Sequence, residues 1–359
     1  MPRLFQLGTL SVLMLILVGG RATGTTWNEP WHKEVIEDAD AFVRAKVTKA
    51  APERVEFDVV KLLAGKEAGK SGAIVGFSKL RFGSYSVRED VFRFGEGREY
   101  YLFLKFTDKG GQFKIATPTT GFAATKDGTT VATYRHSYHQ AYVPDEVYEM
   151  SMVAIFNAQK NLEQDLSPAR KYIAEELAKK PADIPDDANS EEFKRFCSQH
   201  VALELLYYLG GGNLPELEPF LMHKNPHGQI SAVRALGRIP GEMSKPRLLS
   251  FIARKDRDAF AKVMAIWALR DMGAKDSVDE LVRILDSTED QKAGFGGNIM
   301  DPRIGTSFPE SVHAAIKELL TSWNKDVEPA GARLPATKPA DEAPMKDQPS
   351  TPTSKDDSR

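Results

Sequence analysis

The chain has 359 residues, 42% apolar and 27% charged, with 48 basic against 50 acidic side chains and a net charge of -2. That balance is ordinary for globular proteins. It excludes a wholly disordered, collagen-like or multi-span membrane chain and leaves no general basic surface to hold nucleic acid. A single cysteine excludes an internal disulfide.

The first residues read as an export leader. Pro2 and Arg3 give a short basic start, Leu10 to Val18 is apolar apart from Ser11, and Gly20, Ala22 and Gly24 offer small residues to a peptidase. The apolar run is too short for a membrane-spanning helix. A cleaved signal peptide over 1–24, and hence a periplasmic or extracellular protein, is therefore expected. Cleavage removes Arg3 and Arg21 and leaves the remaining chain slightly more acidic.

From Ala39 to about Val143 the apolar residues recur with period two. Ala41, Val43, Ala45 and Val47 alternate with Phe42, Arg44, Lys46 and Thr48, and Val55, Phe57 and Val59 alternate with Glu56 and Asp58. The pattern predicts half-buried strands. More follow at 73–78, 99–106, 112–117, 121–125 and 129–135, split by turn signals such as Lys126-Asp127-Gly128. Short strands at that spacing predict a small barrel or sandwich over 25–143.

After Pro144 the period becomes helical. Val147, Met150 and Ile155 suit one helix, and Ser167-Pro168 opens another with Ser167 as its cap, so that 144–190 holds two linking helices ending in the polar break at 181–190. Residues 191–324 repeat. Ala202, Leu206, Leu209 and Leu221 align with Ala232, Leu236, Ile239 and Ile252, then with Ala265, Leu269, Met272 and Leu285. A further first helix starts at Val312, after a Gly- and Pro-rich insertion at 288–309. Each unit reads as a helix, a short turn and a second helix, and must stack to bury its apolar face. The tail from 325 to 359 has six prolines and no aromatic residue and is expected to be disordered.

Two resemblances are carried by these stretches. Ala232-Val233-Arg234-Ala235-Leu236-Gly237 and Ala265-Ile266-Trp267-Ala268-Leu269-Arg270-Asp271-Met272-Gly273 resemble HEAT-type repeats, which implies a curved helical stack used to bind other macromolecules. Ala39 to Val47, Phe57 to Lys61 with Gly65, and Gly97 to Phe103 resemble the netrin-like module of tissue inhibitors of metalloproteinases, which implies an OB-type barrel. Those inhibitors chelate zinc through an amino-terminal cysteine and are stapled by disulfides. This chain has neither, so the inhibitory chemistry does not follow. The fold expected is all-β plus all-α: a small OB-like barrel, a short HEAT-like solenoid and a disordered tail.

Catalytic signatures are missing from the sequence. Gly65 to Ser71 has three residues between its glycines where a phosphate-binding loop needs four, and reads as a turn. His136/His139 and His223/His227 lack a third ligand nearby in sequence, and no Gly-x-Ser-x-Gly elbow exists, so neither metal nor cofactor is expected. Carboxylates such as Glu37, Asp38 and Asp40 read as solvated surface. Cys197 shares a helical face with Phe193 and Val201 and reads as inert packing.

Three features point to contacts instead. Tyr134, Tyr138 and Tyr142 suggest an aromatic contact surface or domain seam. Trp267 aligns with Glu204 and Arg234, so that position is expected to face outward, as a partner anchor or under the 288–309 insertion. The second helices carry Glu216 and Glu218, then Arg247 and Arg254, then Arg283 among Asp279 and Glu280, a mixed-charge surface suited to a protein or peptide. These imply an exported, non-catalytic binding or scaffold protein. The alternatives are an enzyme whose site is assembled at the domain seam and an inhibitor or small-ligand-binding barrel on a helical platform.

Overall fold

The computed structural model describes residues 32–51, 53–76, 94–115, 121–135, 140–185, 187, 189–293 and 309–325. The expected leader, the tail beyond Lys325, His136, Tyr138, His139 and most of the 288–309 insertion lie outside them.

Five strands close a barrel: β1 (Ala41–Ala51), β2 (Arg54–Gly65), β3 (Ser71–Val75), β4 (Glu99–Phe106) and β5 (Gln112–Ile115). Their order is β1-β2-β3-β5-β4, and β4 returns to β1. All neighbours are antiparallel except β3 and β5. This is an OB-like barrel. Its interior takes one face of the alternation: Val43, Ala45 and Val47 of β1, Val55 and Phe57 of β2, and Tyr100, Leu102 and Leu104 of β4.

Three more strands extend the sheet from β4: β6 (Phe122–Lys126), β7 (Thr129–Thr133) and β8 (Gln140–Pro144). The β6–β7 hairpin turns on Asp127 (φ 52°) and Gly128 (φ 74°), the two positive-φ positions of a type I′ turn.

The expectation of half-buried strands fails on one side of the barrel. Phe42, Tyr101 and Phe103 point away from the interior yet are fully buried. They lie under α1 (His32–Asp38) and α2 (Asp145–Lys160), with Phe42 stacked on Phe103 at 4.5 Å and Tyr101 against Tyr148 at 4.8 Å. Helix α3 (Ser167–Leu177) follows. Ser167 is its first residue, not its cap; the Asp165 carboxylate accepts the Ser167 amide instead.

The stack comprises α4 (Glu191–Leu209), α5 (Leu214–Met222), α6 (Pro226–Leu236), α7 (Gly241–Ala253), α8 (Ala259–Asp271), α9 (Val278–Ser287) and α10 (Val312–Lys325). Several of its starts are set by caps: Asn213 and Glu216 form a capping box on α5, and the Asn225 and Asp258 side chains accept amides of α6 and α8. The hairpins are out of phase with the sequence reading. Helix α5 packs closely on α6 and α7 on α8, whereas α6 meets α7 lightly. The Ala-rich helices α4, α6, α8 and α10 are thus the second members of their pairs and stack on one another as one layer, with α5, α7 and α9 in the other. Alanine permits the close approach: Ala232, Ala235, Ala261 and Ala265 are all buried. One apolar core runs from the outer face of the barrel through α2 and α3 to Trp323.

Candidate functional site

Where β7 ends, the chain leaves the sheet and enters the α4–α6 face of the stack. Tyr134 and Arg135 are both fully buried there. The Tyr134 hydroxyl meets Ser151 Oγ of α2 at 2.8 Å, and its carbonyl accepts the Tyr208 hydroxyl of α4 at 3.3 Å. Arg135 Nη1 donates to Ser231 Oγ of α6 at 3.2 Å, and Nε lies 4.0 Å from Glu204 Oε1 of α4. Arg234 of α6 completes the group, with Nη1 at 2.5 and 2.6 Å from the two Glu204 oxygens and its guanidinium over the Tyr207 ring at 4.1 Å.

Two arginines therefore share one carboxylate in the interior. Among the described residues Arg135 Nε and Nη2 have no hydrogen-bond partner. Burial pulls the Arg135 pKa down to about 9, against the pull of Glu204. Burial also lowers Arg234, but Glu204 and the two tyrosines outweigh it and leave that group above its ordinary value. The histidines around them are held neutral. His32, from α1, is lowered to about 3 by burial, and among the described residues both its ring nitrogens lack a partner. His200 is lowered by burial and then by Arg135, His227 and Arg234. The seam thus carries a net buried positive charge, an arrangement that costs several kcal/mol unless surrounding contacts offset it.

Ser231 Oγ lies 3.4 Å from His200 Nδ1 and 3.3 Å from Glu204 Oε1, the residue types of a hydrolase triad. The geometry differs. A triad carboxylate orients the histidine from its far nitrogen, whereas Glu204 contacts the serine and Arg234. Ser231 is 1% exposed. A small pocket between residues 181–182, α4 and the α5–α6 turn is lined by His200, His223 and His227 with Gln199, Phe196 and Phe220. Gln199 and Asn225 are engaged in holding the 181–182 segment, through the amide and carbonyl of Ala182. His227 is lowered to about 4 by burial and then by Arg135. Among the described residues no group of three His, Cys, Asp or Glu is placed to hold a metal.

The residues singled out from sequence scatter. Tyr134 lies in the seam, and Tyr142 lies beside it, 5.6 Å from Phe193 with its amide directed to Cys197 Sγ at 3.4 Å. Tyr138 is outside the described residues. Cys197 is buried, and burial raises its thiol to about 11. Trp267 is half-buried on α8 against the core, with Arg270 over its ring at 5.4 Å. The premise that its repeat position faces outward is corrected: Glu204 and Arg234 at that position are 0% and 6% exposed. Arg247, Arg254 and Arg283 are exposed and each pairs locally, with Glu218, Asp256 and Glu280.

Sequence reasoning missed Arg135, Glu204, Arg234, His200 and His32. A signal existed for two of them. Glu204 and Arg234 occupy equivalent positions of adjacent repeats, and opposite charges at equivalent positions of stacked helices face each other.

A profile of HEAT repeats matches residues 214–293, the span from α5 to α9 and under a quarter of the chain. No curated protein and no solved structure shows a significant match. Over that span the chain is similar to a helical repeat of a kind often used for protein interaction.

Proposed function

We propose that the protein is an exported, non-catalytic binding or scaffold protein that presents the α5, α7 and α9 layer of its helical stack to another protein. One observation carries this reading. The α4–α6 side of the stack is covered by the chain's own seam, while each helix of the other layer exposes one large apolar side chain: Met222, Met243 and Val282 are 41%, 50% and 42% exposed. Arg247 and Arg283 lie on these helices among acids of opposite sign. Apolar anchors within a mixed-charge field suit a protein or peptide, with the charges tuning encounter. The OB-like barrel serves here as the partner of the stack's other side.

An enzyme at the seam is the second reading, favoured by the pocket lined by His200, whose Nδ1 lies 3.4 Å from Ser231 Oγ. The burial of Ser231 and the engagement of Glu204 by arginine weigh against it.

Affinity capture from native extract separates the two. Met243→Asp with Arg247→Glu is expected to abolish recovery of partners that wild type retains, while His200→Ala leaves them. Equal recovery by all three proteins sinks the surface. A hydrolytic activity lost on His200→Ala moves the seam reading ahead.

A further inference from the structure

A second surface lies on the barrel side, remote from the helical layer above. Strand β3 pairs with β2 only from Arg54 to Asp58, whereas β2 runs on to Gly65. Over that remainder it is paired with β1 alone, so among the described residues one edge from Val60 to Ala64 has no strand beside it. Such an edge is a template for an incoming extended segment. The same stretch forms one wall of an open groove of about 910 Å³, including its solvent-open space, whose other walls are α2, the turn after it and the start of α3.

The groove has an apolar floor and an acidic rim. Leu62, Leu63, Met150 and Val153 supply the floor. Among the described residues Lys61 is the only basic side chain of the lining, against Glu146, Glu149 and Asp165. Lys61 is already taken up by Glu149, which also receives Arg44 and the Tyr101 hydroxyl. Among the described residues Glu146 and Asp165 make no ion pair, and both are exposed. The charge left over is negative, beside apolar surface and an open strand edge.

We propose that this groove binds an extended peptide segment in which apolar side chains alternate with at least one lysine or arginine. The backbone lies along the β2 edge, alternate side chains enter the floor, and the cation meets Glu146 and Asp165. Bulges at Val60 and Leu63 interrupt the ladder. They limit backbone pairing to a short run and leave recognition to side chains, which keeps the edge from templating long sheets.

The test uses the full chain and a displayed library of random peptides of about eight residues, within the usual length of a strand. Peptides enriched by wild type are then titrated by fluorescence polarisation against a Glu146→Lys, Asp165→Asn double variant. Both positions are exposed, so the variant is expected to fold, and matching melting curves check it. The expected result is enrichment of sequences mixing apolar residues with Lys or Arg, a loss of affinity of about tenfold or more on the variant, and weakening with added salt. Val153→Asp, which charges the floor, is expected to weaken the same peptides at least as much. Enrichment without basic residues, affinity unchanged by either variant, or no enrichment overturns the proposal. Self-association of wild type that the double variant abolishes overturns it too, since the occupant would then be a second copy.

Discussion

The barrel interior and the seam are equally inaccessible to water, yet they are built on different rules. Inside the barrel the buried side chains are apolar, and Tyr100 is buried with its hydroxyl accepting the Gly95 amide at 2.8 Å. At the seam a similar apolar shell surrounds two arginines, one glutamate and two neutral histidines. Apolar burial is non-directional and tolerates changes of shape that conserve volume. A buried charge set fixes one arrangement, because every member depends on the others. The seam is therefore the part of the molecule that specifies how barrel and stack sit together, and the part most sensitive to a single change.

The largest expected effect follows from that dependence. Glu204→Gln keeps the volume but leaves Arg135 and Arg234 without their shared carboxylate, and should lower stability in a urea titration by about 3 to 5 kcal/mol. Replacing the whole set with apolar residues, as in Arg135→Met, Glu204→Leu and Arg234→Met together, should recover most of that loss. If the triple variant is no better than Glu204→Gln, the charges have a role beyond mutual compensation. Because one apolar core joins barrel and stack, both should unfold in a single transition.

Acid sharpens the contrast. His32 and His200 have pKa values lowered below the ordinary 6.5. Their neutral forms are favoured in the fold, so the stability they permit is complete above about pH 6.5 and declines as pH falls below it, with the His32 share lost progressively down to about pH 3. At pH 5 His32 should account for about 2 kcal/mol of the loss, and His200 adds to it in the same direction. His32→Phe retains the ring against Phe103, which now stands 5.2 Å from the imidazole in an edge contact. This variant should be more stable than wild type at pH 5 and close to it at pH 8. A parallel pH dependence of the two proteins rules out His32 as a source of the acid sensitivity.

How much of this was legible in sequence divides along the same line. The interior face of β1 and the Asp127-Gly128 turn are encoded locally, in period two and in a dipeptide with positive φ. The Ala-based repeat is equally local. The phase of its hairpins is not, because both pairings of adjacent helices satisfy the same period, and only packing distinguishes α5 on α6 from α4 on α5. The burial of Phe42, Tyr101 and Phe103 depends on α1 and α2 covering a barrel face that alternation marks as open. Glu204 and Arg234 look like surface within any single repeat; they become partners only when adjacent repeats are compared, and Arg135, which approaches Glu204, comes from the other module. Arg247, Arg254 and Arg283 were legible as exposed charge, and nothing local says what meets them.

The smallest expected difference, between two glycine variants, tests the junction itself. Gly65, at the end of β2, has φ +84°, and a Cβ there would stand 2.4 Å from the Asp40 carbonyl oxygen and 3.0 Å from the Phe156 ring of α2. Gly128, in the β6–β7 turn, has φ +74° and nothing within 4 Å of such a Cβ. Both glycines relieve backbone strain, but only Gly65 also permits the barrel to close against backbone and helix. Gly128→Ala should thus cost about 1 kcal/mol, the conformational penalty alone. Gly65→Ala should cost that and a further 1 to 2 kcal/mol, roughly, because the Asp40 carbonyl belongs to the main chain and cannot step aside as a flexible side chain can. Urea titrations of the two variants measure the difference directly. Equal losses would mean that β2 ends without pressing on α2, and that the seam chemistry of Arg135 and Glu204, with no help from the barrel's own corner, sets the two modules in place.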